Sequence, residues 1–142
     1  MGREDSPHRR GAPVPINPAA LTAARTRFAA AAGLSLVETL TEVVYPLADA
    51  DVPRDTETLA LSAQTVGPTE DAGSVGAVLS YGRDDDVNPK SNQPSNAYAV
   101  EVHEAIGKQH PGGGAAKWLE NAGTQTAPRL ADEVAKRMRP RL

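Results

Sequence analysis

The chain has no cysteine, which excludes disulfides, thiolate metal centres and a cysteine nucleophile together. Aromatic residues are scarce: one Phe, one Trp and three Tyr among 142 positions, with only two Met beside them. A hydrophobic fraction of 39% with so few large side chains is carried largely by alanine, so the core is thin. No apolar run approaches the roughly 18–20 residues of a membrane span. The opening MGREDSPHRRGAPVPINP lacks the apolar stretch of a secretory signal. Charge of one sign is not in excess either. A net charge of -3 gives no overall attraction to nucleic acid, although the chain ends in the basic AKRMRPRL and carries the acidic RDDDVNP near its middle.

What is present suits one domain by length, burying roughly two thirds of its unfolded surface. Twelve Gly and twelve Pro imply many turns, and a mean hydropathy of -0.42 is polar. Such a chain either gains part of its stability from neighbours in an oligomer or stands as a small alanine-rich monomer. Composition alone does not separate the two.

Residues 1–17 read as an extended arm, disordered unless a partner holds it, and residues 18–142 as a single domain. Asn17-Pro18 is a helix start, with Asn as the cap and Pro at the first helical position. The alanine-rich run that follows places Leu21, Ala24, Phe28 and Ala31 on one face. Leu36, Leu40, Val43, Val44 and Leu47 continue at helical spacing, and Pro46 should kink or end the helix near Val44. A broken pair or one bent helix over 18–50 is therefore expected. From Thr58 the period changes to alternation, predicting an antiparallel hairpin over about 58–82 with its turn at PTEDAG. Residues 83–96 form a long surface loop. A last helix is expected from about Ala115 to Arg139, with Trp118, Leu119, Ala122, Thr126, Leu130, Val134 and Met138 inward. Gly123 and Pro128 allow a bend or two shorter helices there.

The stretch SNAYAVEVHEAIGKQHPGGGAAKWLENAG, residues 95–123, concentrates the candidate chemistry. His103, Glu104 and His110 suggest a metal-dependent hydrolase. A helical zinc site, however, needs two His four apart with the Glu between them, and these are seven apart around Gly107. HPGGGAAK suggests a phosphate cradle but lacks Walker spacing and a Ser or Thr after Lys117. Its plainer reading is a hinge followed by a helix start, with Lys117 solvated. No Ser lies in a nucleophile elbow, and Asp84-Asp85-Asp86 lacks the pattern of a calcium loop. The basic residues Lys136, Arg137, Arg139 and Arg141 complement a helix C-terminus. Their alternative use, in a nucleic-acid-binding module, would bring a steep salt dependence.

Three ordered blocks carry a different signal: VPRDTETLALSAQTV at 52–66, YAVEVHE at 98–104 and HPGGGAAKWLENA at 110–122. Over roughly residues 18–139 the chain resembles the tail-completion or neck proteins of long-tailed bacteriophages, often described as head–tail joining or minor capsid proteins. The matching positions include Pro53, Asp55, Thr56, Leu59, Ser62, Tyr98, Ala99, His103, Glu104, His110, Pro111, Gly113, Ala116, Lys117, Trp118, Leu119 and Glu120. One departure is Glu57, where the family usually has Gly, so the turn there should be shaped differently.

The expected fold is α+β: an N-terminal helical region, an antiparallel sheet built around a central hairpin, and a C-terminal helix packed on the sheet. Tyr98, Trp118 and Leu119 are its expected anchors, with Gly112–Gly114 as a swivel. The resemblance implies a structural virion protein and no enzyme, with no catalytic residue, cofactor or metal. Copies would form a ring, six favoured and twelve possible, between head connector and tail-tube or terminator proteins, with DNA passing through and no membrane involved. A tail terminator or portal adaptor of the same neck is the near alternative. Arg9, Arg10, Arg83, Asp84, Asp85, Asp86, Lys90, Arg137, Arg139 and Arg141 are the candidate subunit-interface residues.

Overall fold

Asn17 begins the longest element as its sequence demands. Its side-chain oxygen accepts from the Ala19 N–H at 2.9 Å, and Pro18 takes the first turn, where a missing N–H costs nothing. The computed structural model describes residues 11, 14–54, 57–83, 85, 92, 94, 96, 99, 103, 104, 114 and 116–142. Helix α1 covers Pro18–Thr39, a π-helical turn covers Leu40–Val44, and α2 covers Tyr45–Asp51. Pro46 has no N–H, and its ring would clash with the carbonyl four residues back, that of Glu42. The widened turn absorbs this misfit: the Tyr45 N–H reaches back five residues to the Leu40 carbonyl. The helix therefore continues through Pro46 to Asp51, so the single-helix alternative is the one found.

Every buried residue of α1 lies at or beyond Ala31: Ala31, Gly33, Ser35 and Thr39. The Thr39 hydroxyl donates to the Ser35 carbonyl at 2.7 Å, which satisfies it without a tertiary partner. Gly33 lies against the hairpin so closely that a Cβ would come within 2.6 Å of Pro68 Cβ. Of the apolar face from Leu21 to Ala31, only Ala31 is buried, for Leu21 and Phe28 are 41% and 57% exposed.

The strand expected from Thr58 is also corrected. Residues Thr58–Leu61 form a short helix, α3, in which Leu59 and Ala60 are buried in succession while Leu61 is exposed. Two adjacent buried residues fit a helical turn and not a pleat. Strands β1 (Gln64–Asp71) and β2 (Ser74–Ser80) then pair antiparallel, with a register irregularity between Val66 and Thr69. The turn falls within PTEDAG, at its last two residues: Ala72 and Gly73 alone close it, at φ 47° and 84°. Positive φ at both positions matches the twist of a two-residue hairpin.

At the other end, α4 spans Trp118–Thr126 and α5 spans Leu130–Met138. A 3-10 turn at Ala127–Arg129, holding Pro128, separates them, and another follows at Arg139–Arg141. The two-helix alternative is the one found. The first turn of α4 meets the exit of β2 where Trp118 touches Tyr81, and α5 lies along α1. Arg137 bonds Glu42 at 2.9 Å and Glu133 at 2.7 Å, and Arg141 pairs with Glu38. The core gathers Val44, Ala48, Val52, Leu59, Ala60, Ala99, Trp118 and Ala122. By length and composition the 34-residue helix 18–51 could cross a membrane, with a window of mean hydropathy 1.3. Its Glu38 and Glu42, however, are tied to Arg141 and Arg137, and its far half packs in the core. These features identify it as the spine of this domain.

Candidate functional site

Trp118 is 1% exposed, the largest fully buried side chain among the described residues. Three chain segments bring walls to it. Tyr81, just past β2, meets it edge to face at 5.9 Å between ring centroids. His103 does the same at 4.8 Å. Ala122, Ala48 of α2 and Val52 just past its end complete the packing. Truncating a Trp so enclosed costs about 3–5 kcal/mol by the general scale for buried aromatics.

The approach to Trp118 is fixed by backbone as much as by packing. Gly114 has φ 108°, and a Cβ there would stand 2.6 Å from the Pro53 Cα. Conformation and space both require glycine at this close approach. Lys117, the residue before α4, also lies in the left-handed region at φ 59°. Its N–H donates to the His103 carbonyl at 2.8 Å. Its ammonium reaches Glu104 Oε2 at 2.5 Å and Glu120 Oε2 at 3.4 Å. The other oxygen of Glu104 lies 2.8 Å from His103 Nδ1. An ionised carboxylate only accepts, so Nδ1 carries the proton donated to it. Donation from Lys117, and then from His103, holds the Glu104 carboxyl below the usual carboxylate range; the same bond to Glu104 raises Lys117. This latch closes the chain over Trp118.

A pocket of about 190 Å³ lies at the clamp, lined by Tyr81, Ala99, His103, Glu104, Trp118 and Leu119. Among the described residues, two polar atoms of its walls, the Tyr81 hydroxyl and Trp118 Nε1, are buried without hydrogen-bond partners. Burial, followed by the nearby Asp49 carboxylate, pushes the Tyr81 phenol well above its ordinary value. Among the described residues no group of three or more His, Asp or Glu side chains is arranged to hold a metal ion.

Of the expected anchors, Trp118 is central and Leu119 is half-buried beside it. Tyr98 lies outside the described residues, as do His110, Arg9, Arg10, Asp84, Asp86 and Lys90. Arg83 forks onto Asp85, with Nε–Oδ1 at 2.9 Å and Nη2–Oδ2 at 2.7 Å, and this bond lowers the Asp85 carboxyl. Arg137 and Arg141 turn inward onto α1, and each also donates to a carbonyl of the last helical turns, of Glu133 and Arg137 respectively. Arg139 is exposed.

The Lys117–Glu104 latch was not expected, since Lys117 read as solvated; two opposite charges thirteen positions apart give no periodic signal. Tyr81 was also missed as a wall of the clamp. Its signal was faint: one of only three tyrosines, directly after an apolar strand. No family model matches the chain, and neither a curated protein nor a solved structure does.

Proposed function

We propose that the chain is a structural protein of the neck of a long-tailed bacteriophage, one copy in a ring of six or twelve that joins the DNA-filled head to the tail. Assembly would take place in the host cytoplasm, next to head-connector and tail-tube or terminator proteins. The observation that carries this reading is the use made of the second and third sequence blocks. His103, Glu104, Lys117 and Trp118 are all engaged in holding α4 against the domain. Side chains that looked like chemistry are occupied as a buckle, which suits the structural role that the resemblance implies for the chain.

A second observation supports the same reading. At Glu57, where the resembled family usually has Gly, the backbone is left-handed, with φ 61°. Glycine reaches that conformation without steric cost, so the backbone at this position is one that the family's usual residue would also adopt.

Antibody raised against the chain and applied to intact virions tests the proposal. Label at the head–tail junction is expected. Label confined to the capsid shell or tail tip, or a virion lacking the chain, would overturn it.

A further inference from the structure

We propose that the C-terminal segment 130–142 is a strap held to the long helix by charge, and that it opens as ionic strength rises while the rest of the domain stays folded. The strap does not depend on the neck reading.

The two C-terminal helices are attached by different means. In α4, Trp118, Ala122 and Thr126 are buried at four-residue intervals, so one face runs into the core along its whole length. That stripe stops with α4. Ala127, Pro128 and Arg129, the 3-10 turn that follows, are all exposed. In α5 Met138 is the one buried residue, Val134 and Ala135 are half-buried, and Leu130 is 37% exposed. Leu142, at the end of the chain, is exposed as well. So short a helix does not persist in water by itself, because burial of an apolar face supplies most helical stability.

Charge supplies what apolar contact does not. Arg137 reaches across to Glu42 at 2.9 Å and is braced on its own helix by Glu133 at 2.7 Å. One turn further on, Arg141 pairs with Glu38 and donates to the Ser35 hydroxyl at 3.4 Å. The two carboxylates lie four residues apart on the long helix, and the two guanidinium groups four residues apart on the strap. Both pairs therefore fasten one seam. Arg137 is well covered, but the side chains of Glu42 and Glu38 are 59% and 39% exposed, so salt reaches each pair from its acidic side. The reach of a charge falls from about 10 Å at 0.1 M salt to about 3 Å at 1 M. Burial of Trp118 and Ala122 involves no charge to screen, so α4 keeps its place.

The exposed turn at Pro128 is then the hinge. Closed, the strap engages Arg137 and Arg141 on its own chain. Open, it frees them to join Arg129, Lys136 and Arg139, none of which enters a salt bridge among the described residues. Ionic strength thus sets how many cations this end of the molecule presents to solvent.

Amide hydrogen exchange of the full chain, read by mass spectrometry in about 0.1 M and about 1 M sodium chloride, tests this directly. At the higher salt, residues 131–141 should exchange about 3- to 10-fold faster, with residues 31–44 unchanged. The double variant Glu38→Gln, Glu42→Gln should exchange over 131–141 at the faster rate in both salts. Unchanged circular dichroism and unchanged exchange over 31–44 mark that variant as folded; should it unfold, Arg141→Gln replaces it with the same outcomes. Exchange over 131–141 that is indifferent to salt, an acceleration shared by 31–44, or a folded variant as slow as wild type would overturn the strap.

Discussion

At the scale of the residue, Trp118 and its unpaired neighbour Tyr81 make opposite demands. Trp118→Ala should lower stability by about 3–5 kcal/mol in urea unfolding, because it removes the ring on which three segments converge. Tyr81→Phe keeps the ring contact and deletes a buried hydroxyl with no partner. It should be neutral or stabilise by about 1 kcal/mol, since an unsatisfied buried group is a net cost. Glu57→Gly should likewise stabilise by about 0.5–1 kcal/mol, because glycine occupies φ 61° without steric cost. Arg54 keeps its bond to Asp49 when Glu57 is lost. Trp118 could be recognised in the sequence because one indole in an aromatic-poor chain has few places to go. Lys117 could not: left-handed backbone at a lysine leaves no compositional trace, and its partner Glu104 lies in a different segment.

At the scale of the element, small residues decide how parts meet. Gly33→Ala would ordinarily favour a helix by about 1 kcal/mol. Here the new methyl would meet the Pro68 ring and Val75 at 2.6 and 3.2 Å. Net destabilisation of about 1–3 kcal/mol is expected from overpacking, read as a lower Tm. The latch that closes the chain over α4 has its own pH window. Glu104 is held below the ordinary 4.5, so its contribution is complete above that value and is lost as pH falls through the lowered one. Lys117 is raised above the ordinary 10.5, so its contribution is complete below that value and disappears as pH rises through the raised one. The latch should accordingly weaken as pH falls below about 4.5 and as it rises above about 10.5, read as a fall in Tm, and Glu104→Gln should diminish the acid change. The long helix, its cap and the two-part C-terminal helix were legible from Asn17-Pro18, from apolar spacing and from Pro128. The 58–61 turn was not, because TLALSAQT satisfies an alternating pattern equally well until Leu59 and Ala60 are both seen to be buried. Pro46 left a broken pair and a continuous helix both open, since a sequence shows the breaker but not the π turn that accommodates it.

At the scale of the whole molecule, the domain is finished on one side and open on the other. Its far half is closed by a spine helix, ion pairs to the C-terminal helix and a tryptophan clamp. Its near half leaves the first turns of α1 and the outer face of the hairpin, with Val66 and Val78, exposed. The fold class was legible because periodicity separates helices from strands. The exposure of Leu21 and Phe28 was not, because they have the spacing of a core face and nothing in the sequence says that the hairpin leaves them uncovered. Native mass spectrometry of the intact chain tests this account most directly. A single discrete species at six or twelve times 14.9 kDa is expected. A population of single copies at every concentration would contradict it.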